Sequence, residues 1–172
     1  MGDLDLKSGQ FDTHGYDETH PYWYATTSSA PATNTLYIAE ADIRSTDLVV
    51  DKIRVAVGAT SNGNLKVCVY TFDGTTWTLA ASSASTAVGA INTIQTVSMQ
   101  TPAVIPRGVR RFYGLVSDGT ATFQRMAGVL QVAAFLEPSL ALKASSFTLP
   151  ATMVLADLTA TNLGFWLKAS PS

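Results

Sequence analysis

The sequence predicts an all-β protein, an antiparallel β-sandwich or jelly roll preceded by an extended N-terminal arm. Several segments alternate apolar and polar side chains with the period of two that is typical of half-buried strands. Turn residues recur about every ten positions, and roughly eight to ten short strands can be counted between them, as in sandwiches and jelly rolls. No segment resembles the crossover helices that a parallel sheet requires.

We assign residues 1–30 to the arm and residues 31–172 to the jelly-roll domain. The arm contains both histidines and several acidic residues, and its apolar residues follow no regular period. Its most unusual feature is the run of Tyr22, Trp23 and Tyr24. Because large aromatic side chains are normally buried, we expect these three residues to anchor the arm on a partner.

The first strands are predicted within residues 52–80. The larger aliphatic residues in 52–57 alternate with Lys52, Arg54 and Ala56, which indicates one core face and one solvent face. Asn62 and Gly63 favour a tight hairpin turn before residues 65–72, whose two faces are both largely apolar. Such a strand is central, or its outer face is covered by another segment or subunit. With a returning strand at 76–80, the pattern predicts a three-stranded meander.

The second half of the domain continues with short strands. Strands are predicted at 92–99, 110–117 and 123–127, with a loop at 102–108 that Pro102, Pro106 and Gly108 impose. Only residues 131–143 could form a short helix, and Pro138 limits its length. Near the end of the chain, alternation places Leu163, Phe165 and Leu167 on one face.

The composition disfavours nucleic-acid and membrane partners. Charged residues make up 14% of the chain and the formal net charge is −2, whereas nucleic-acid-binding domains normally carry a basic excess. The longest apolar region, 128–142, is interrupted by Gln131, Glu137 and Pro138 and is too short for a membrane span. No export signal is recognisable at the start of the sequence. We therefore expect a protein with a largely neutral surface.

We expect no enzymatic activity and no cofactor. The sequence has no nucleophile elbow, phosphate-binding loop or Cys-x-x-Cys motif, and its only imidazoles lie in the arm. Asp157 paired with Glu137 or Asp118 is the only acid–base arrangement worth considering, and isolated acids near turns are usually solvated. The single cysteine, Cys68, lies in a strand-like segment and is expected to be a buried, inert thiol.

Two clusters could bind ions. Residues 12–20 include His14, His20 and several carboxylates, but their spacing matches no zinc template. Asp3 and Asp5 lack the rest of a calcium loop, so no metal site is predicted. The alternative is that the histidines form hydrogen bonds with a neighbouring segment. Arg107, Arg110 and Arg111 form the only basic cluster, and we expect it to pair with an acid across an interface.

The aromatic residues offer a second kind of site. Trp77, near a predicted hairpin, and the arm residues Tyr22 to Tyr24 could stack against the apolar face of a sugar ring. Core packing is the simpler explanation for Trp166, and anchoring at a subunit contact is the simpler one for the arm.

Four segments resemble known proteins: VDKIRVAVG at 50–58, GNLKVCVYTFDG at 63–74, RFYGLVSD at 111–118 and SFTLP at 146–150. They resemble the β-sandwich domains of tailed-bacteriophage virion proteins, which include tail fibres, spikes and capsid-decoration proteins. The resemblance implies a non-enzymatic structural protein located in the virion, a capsid decoration or head-fibre subunit that forms a homo-oligomer, a trimer, and contacts other virion proteins through its arm. The alternative is a carbohydrate-binding module, or the receptor-binding tip of a phage tail fibre, that binds a host surface glycan.

Overall fold

The computed structural model describes residues 17–19, 27–41, 46–125, 140–145, 147–161 and 163–170. These residues form an antiparallel β-sandwich, which confirms the predicted fold class. Within them the only helical element is a short 3-10 helix, Leu155–Asp157. The strands are β1 (Asp17–Glu18), β2 (Thr27–Ser29), β3 (Thr35–Ala41), β4 (Leu48–Ala56), β5 (Asn64–Phe72), β6 (Thr76–Ser82), β7 (Thr86–Ala87), β8 (Ile94–Ile105), β9 (Arg110–Ser117), β10 (Phe123–Arg125), β11 (Leu140–Ala144), β12 (Thr152–Val154), β13 (Thr159–Ala160) and β14 (Leu167–Ser170).

The strands form a small sheet, a large sheet and a separate pair. The small sheet has the order β1-β14-β4-β8. The large sheet has the order β12-β6-β5-β9-β3-β11-β13, with β7 also paired to β5. Strands β2 and β10 pair only with each other among the named strands.

The main core lies between the two sheets. Ile53 and Val55 of β4 are fully buried there, while the alternating residues Lys52 and Arg54 are partly exposed, as the period of two predicted. Full burial of each aliphatic side chain contributes about 1.5–3 kcal/mol. The predicted common face of Leu163, Phe165 and Leu167 is confirmed, because all three pack in this core. Its other members include Val67, Val69, Val97, Tyr113, Leu115 and Phe123.

A second core covers the opposite face of the large sheet. It contains Cys68 and Tyr70 of β5. The two alternatives predicted for β5 both hold, because the strand is central in its sheet and its outer face is covered. The cover belongs to the same chain and consists of residues 147–160, which we call the closing segment. Tyr70 Oη donates to the carbonyl of Pro150 (2.8 Å), and Lys66 Nζ donates to that of Phe147 (3.0 Å).

The closing segment shows that the large sheet is rolled. Its strands β12 and β13 lie at opposite ends of the strand order, yet only residues 155–158 separate them. Seven strands in a flat sheet would place the outer two about 29 Å apart. Five extended steps from Val154 to Thr159 reach at most about 18 Å. The sheet therefore curls towards the closing segment and encloses the second core.

The predicted meander is wrong in its first step. β5 and β6 form the expected hairpin around Gly74, which has a φ of 104°, but β4 belongs to the small sheet. Residues 57–63 therefore cross from one sheet to the other. Gly63 has the positive φ (80°) that an Asn-Gly pair favours. It does not close the predicted hairpin between β4 and β5, and instead its conformation lets the loop pack against the backbone of Gly119.

Two predictions about the later strands are also corrected. β8 continues through Pro102, where a loop was expected, because the β4–β8 register is shifted between Val50 and Lys52 and the proline needs no ladder hydrogen bond there. Residues 140–143, the described part of the expected helix, belong to strand β11. Residues 126–139 lie outside the described residues.

Candidate functional site

The N-terminal segment is joined to the small sheet through β1. Asp17 and Glu18 pair with Ala169 and Lys168 of β14. Thr19 extends this contact, because its amide donates to the carbonyl of Leu167 (2.9 Å) and its hydroxyl to that of Phe165 (3.0 Å). The segment therefore adds a strand to one edge of the sandwich.

A second attachment follows at β2. Thr27, Ser28 and Ser29 pair in register with Arg125, Gln124 and Phe123 of β10. Arg125 Nε also donates to Ser29 Oγ at 2.6 Å. The predicted arm is therefore held on its own domain at two places, although its boundary at residues 30 and 31 stays a prediction.

Gly58 shapes the seat of β2. A Cβ atom at this position would lie 2.7 Å from the Cβ atom of Ser28 and 2.6 Å from Thr122 Oγ1. Real Cβ atoms do not approach other atoms this closely, so β2 lies against bare backbone at this point. The seat accepts a strand of small residues, and Ser28 occupies it.

The aromatic anchor and the possible metal ligands of the arm lie outside the described residues. They are Tyr22, Trp23 and Tyr24 and the two histidines, His14 and His20. In sequence the three aromatic residues fall in the interval 20–26, between the two attached strands. Their role as an anchor stays a prediction. Across the described ranges, no three His, Cys, Asp or Glu side chains are grouped so that they could hold a metal ion.

Trp77 lies in the second core and not on the surface. Its exposed fraction is 1%, and its ring packs against those of Phe72 and Phe112, with centroids 4.1 and 5.6 Å away. Its Nε1 atom is buried without a hydrogen-bond acceptor among the described residues. Burial leaves the indole no face open to a sugar ring and so corrects the stacking role predicted for Trp77. The alternation of Trp77 with Thr76 and Thr78 is the sequence signal for this burial.

The basic cluster is divided by the fold. Arg110 forms a bidentate pair with Glu40 of the neighbouring strand, Nε to Oε1 at 2.7 Å and a second nitrogen to Oε2 at 3.0 Å. Its guanidinium lies 5.0 Å from the centre of the Phe72 ring. Arg111 is fully buried on the opposite face of β9. Arg110 therefore finds its acid within the chain, and not across an interface as expected.

The carboxylates considered for acid–base chemistry are engaged in turns. Asn64 donates to Asp118 from its side chain (2.9 Å) and its backbone (2.6 Å), and these bonds lower the pKa of Asp118. The backbone amide of Val154 and the ammonium group of Lys143 lower the pKa of Asp157. A general acid needs a raised pKa, so neither carboxyl suits that role. Glu137 lies outside the described residues.

Cys68 is buried and inert, as its strand-like setting predicted. Its side chain is fully buried in the second core against Gly114, and burial raises the pKa of the thiol. Because the thiolate is the reactive form, the thiol is unreactive in the folded protein.

Six large apolar side chains among the described residues are exposed. Val49 and Val104 face each other across β4 and β8 with exposed fractions of 42% and 64%, Ile91 and Ile94 lie just before and at the start of β8, and Val154 and Leu155 lie in the closing segment. The described part of the chain includes no helix with the length and hydropathy needed to cross a membrane.

The sequence matches no model of a known protein family, and no curated protein sequence is significantly similar to it.

Proposed function

We propose that the protein is a non-enzymatic structural subunit of a bacteriophage virion, a capsid decoration or head-fibre protein that attaches to other virion proteins through residues 1–30. The phage assignment rests on the sequence resemblance. The structural observation that supports attachment is the double seating of the N-terminal segment on β14 and β10. A segment tied at two points transmits a pull on its N-terminal end to the small sheet through β14 and to the separate strand pair through β10.

The body of the domain suits a passive structural role. Both faces of the large sheet are buried by the chain itself, one against the small sheet and one under the closing segment. The outward-facing residues of β8 at 96, 98 and 100 are neutral and exposed, which suits packing against a neighbour without charge repulsion. A homotrimer, as the resemblance implies, is part of the proposal.

The predicted anchor has a defined position in this scheme. Tyr22, Trp23 and Tyr24 fall between Thr19, the last attached residue of the first site, and Thr27, the first of the second. A partner that binds these rings is therefore held close to the sandwich. Burial of Trp77 removes one of the two stacking candidates of the carbohydrate-binding alternative, so the structural role is the one we propose.

The test is incorporation into particles. Virions from the source of this sequence are purified on a density gradient, and their proteins are identified by mass spectrometry, once with the natural chain and once with Trp23→Ala. We expect the natural chain in stoichiometric amount and a severalfold reduction for Trp23→Ala. Thr148→Ala, an exposed change in the closing segment, is the matched control and should be incorporated normally.

Two outcomes would contradict the proposal. Absence of the natural chain from purified virions would remove the structural role. Normal incorporation of Trp23→Ala would remove the aromatic anchor and leave attachment to other residues.

A further inference from the structure

Asn62 and Gly63 form a pair that neither a hairpin nor the proposed function accounts for. Of the five asparagines in the chain, only Asn62 precedes a glycine. Both residues are exposed, in the loop 57–63 that crosses between the two sheets. An asparagine side chain before a glycine is open to attack by the next backbone nitrogen, because glycine has no Cβ atom that would shield this nitrogen. The pair is therefore a candidate for spontaneous deamidation.

The contacts of this loop leave both reacting groups available. Ser61 Oγ donates to the carbonyl of Gly89 (2.5 Å), and the amide of Val88 donates to the carbonyl of Gly63 (3.0 Å). Among the described residues, neither the side chain of Asn62 nor the amide of Gly63 takes part in a hydrogen bond. The loop is therefore held by other atoms than the attacking nitrogen and the side-chain amide carbon.

Two other asparagines lack this combination of features. Asn64 is partly exposed, but its side chain donates to Asp118 Oδ2 (2.9 Å). Asn92 is exposed, but it is followed by Thr93, whose branched side chain crowds its own backbone nitrogen. Both asparagines therefore serve as internal controls for the reactivity of Asn62.

We propose that Asn62 is a deamidation site of the folded protein, and that its conversion loosens the contact between the loops of Gly63 and Gly119. The amide nitrogen of Gly63 attacks Cγ of Asn62 and forms a new C–N bond, and the side-chain NH2 group leaves with the amide proton as ammonia. Water then opens the resulting succinimide at one of its two carbonyl carbons and gives aspartate or isoaspartate. The reaction requires only water, and the inference does not depend on the proposed function.

The products do not fit the contact that the asparagine makes. In isoaspartate the main chain runs through Cβ and Cγ of residue 62, so it gains one methylene group, and the former backbone carbonyl becomes a carboxylate. That carbonyl lies against Gly119, where a Cβ atom would overlap its oxygen. Both products also place a negative charge beside Gly63, and a Cβ atom on Gly63 would lie 2.7 Å from Asp118 Oδ1. Crowding and like-charge repulsion therefore both weaken this contact.

The rate of conversion in the folded chain tests the site. Full-length protein is kept in a mildly alkaline buffer, a parallel sample is kept unfolded in denaturant, and both are digested with trypsin at intervals. The tryptic peptide 55–66 contains Asn62 and Asn64, and the peptide 67–107 contains Asn92. Fragmentation in a mass spectrometer locates the mass gain, and an isoaspartate-specific methyltransferase detects the isomer. We expect Asn62 of the folded chain to be converted severalfold faster than Asn64 or Asn92.

Asn62→Gln is the matched control, because glutamine keeps a neutral amide but forms the corresponding six-membered ring much more slowly. After equal incubation we expect the Tm of the natural chain to fall by a few degrees and that of Asn62→Gln to stay unchanged. Gly63→Ala is unsuitable, because Gly63 has a positive φ and its added Cβ atom would collide with Gly119.

The site and its effect are contradicted by different results. An unconverted Asn62 in the folded chain, whatever happens in denaturant, overturns the site, and so does equal conversion of Asn62, Asn64 and Asn92. A Tm that stays unchanged although Asn62 has been converted overturns the loosening of the contact.

Discussion

Asp118 and Asn64 hold the end of β9 to the start of β5 through three hydrogen bonds. The backbone and side chain of Asn64 donate to the two carboxylate oxygens, and the amide of Asp118 donates to the carbonyl of Asn64 (3.1 Å). Next to them, a Cβ atom on Gly119 would overlap the carbonyl oxygen of Asn62. The loop that contains Gly63 and the loop that contains Gly119 are therefore held together by the Asp118 carboxylate and by close backbone packing at the two glycines.

Removal of this carboxylate should destabilise the fold. Asp118→Ala leaves the Asn64 amide without its acceptor, and because the pair is partly exposed we expect a loss of about 1 kcal/mol. For a chain of this length that corresponds to a Tm lower by about 2–4 °C. Asp118→Asn keeps one acceptor and should lose less. Equal melting temperatures for Asp118→Ala and the natural chain would contradict the role of this contact.

The same carboxylate gives a prediction about pH. Hydrogen bonds to the ionised forms hold the pKa values of Asp118, Asp73 and Asp157 below the usual 3.8 in the folded state. Their contribution to stability is therefore fully present above that value and is lost as the pH falls through the folded pKa values. We expect the Tm to change little from about pH 7 to 5 and to fall below about pH 4.

The matched variant is Asp118→Asn, which cannot titrate at this position. The difference in Tm between it and the natural chain should shrink as the pH falls from about 5 to about 2, because the natural Asp118 becomes protonated. A difference that stays constant over this range would show that the ionised carboxylate contributes nothing.

Trp77 provides a test of the second core. Trp77→Ala removes a buried ring packed on Phe72 and Phe112, and we expect a loss of about 3–5 kcal/mol in urea unfolding. Trp77→Phe keeps an aromatic ring and removes an indole N–H that has no acceptor among the described residues, so its loss should be clearly smaller. An alanine variant as stable as the natural chain, but with altered glycan binding, would restore the surface role.

Gly114 lies so close to the side chain of Cys68 that no larger residue fits at position 114 without a collision. A Cβ atom on Gly114 would lie 2.5 Å from Cys68 Sγ and 3.0 Å from a methyl group of Leu36. Gly114→Ala should therefore cost about 1–3 kcal/mol through overpacking. Because Cys68→Ala removes the sulfur, the double variant should be more stable than the sum of the two single changes predicts. A double-mutant cycle in urea measures this coupling, and strict additivity would contradict it.

Local alternation was sufficient to find most of the strands. It predicted the buried residues of β4, the covered position of β5 and the common face of Phe165 and Leu167, because side chains in a strand alternate whatever the strand pairs with. It did not predict which sheet a strand joins. β4 and β5 are neighbours in sequence and lie in different sheets, since pairing depends on which apolar faces meet over long distances.

Residue types and local periods were enough to predict the fold class and the inert Cys68, because both depend on short stretches of chain. Two other features emerged only from the folded domain: Arg110 pairs with Glu40, and the N-terminal segment is seated on β14 and β10. Each of these features depends on contacts between strands that are far apart in the chain. Such partners are chosen by the packing of the whole domain, which no local pattern records.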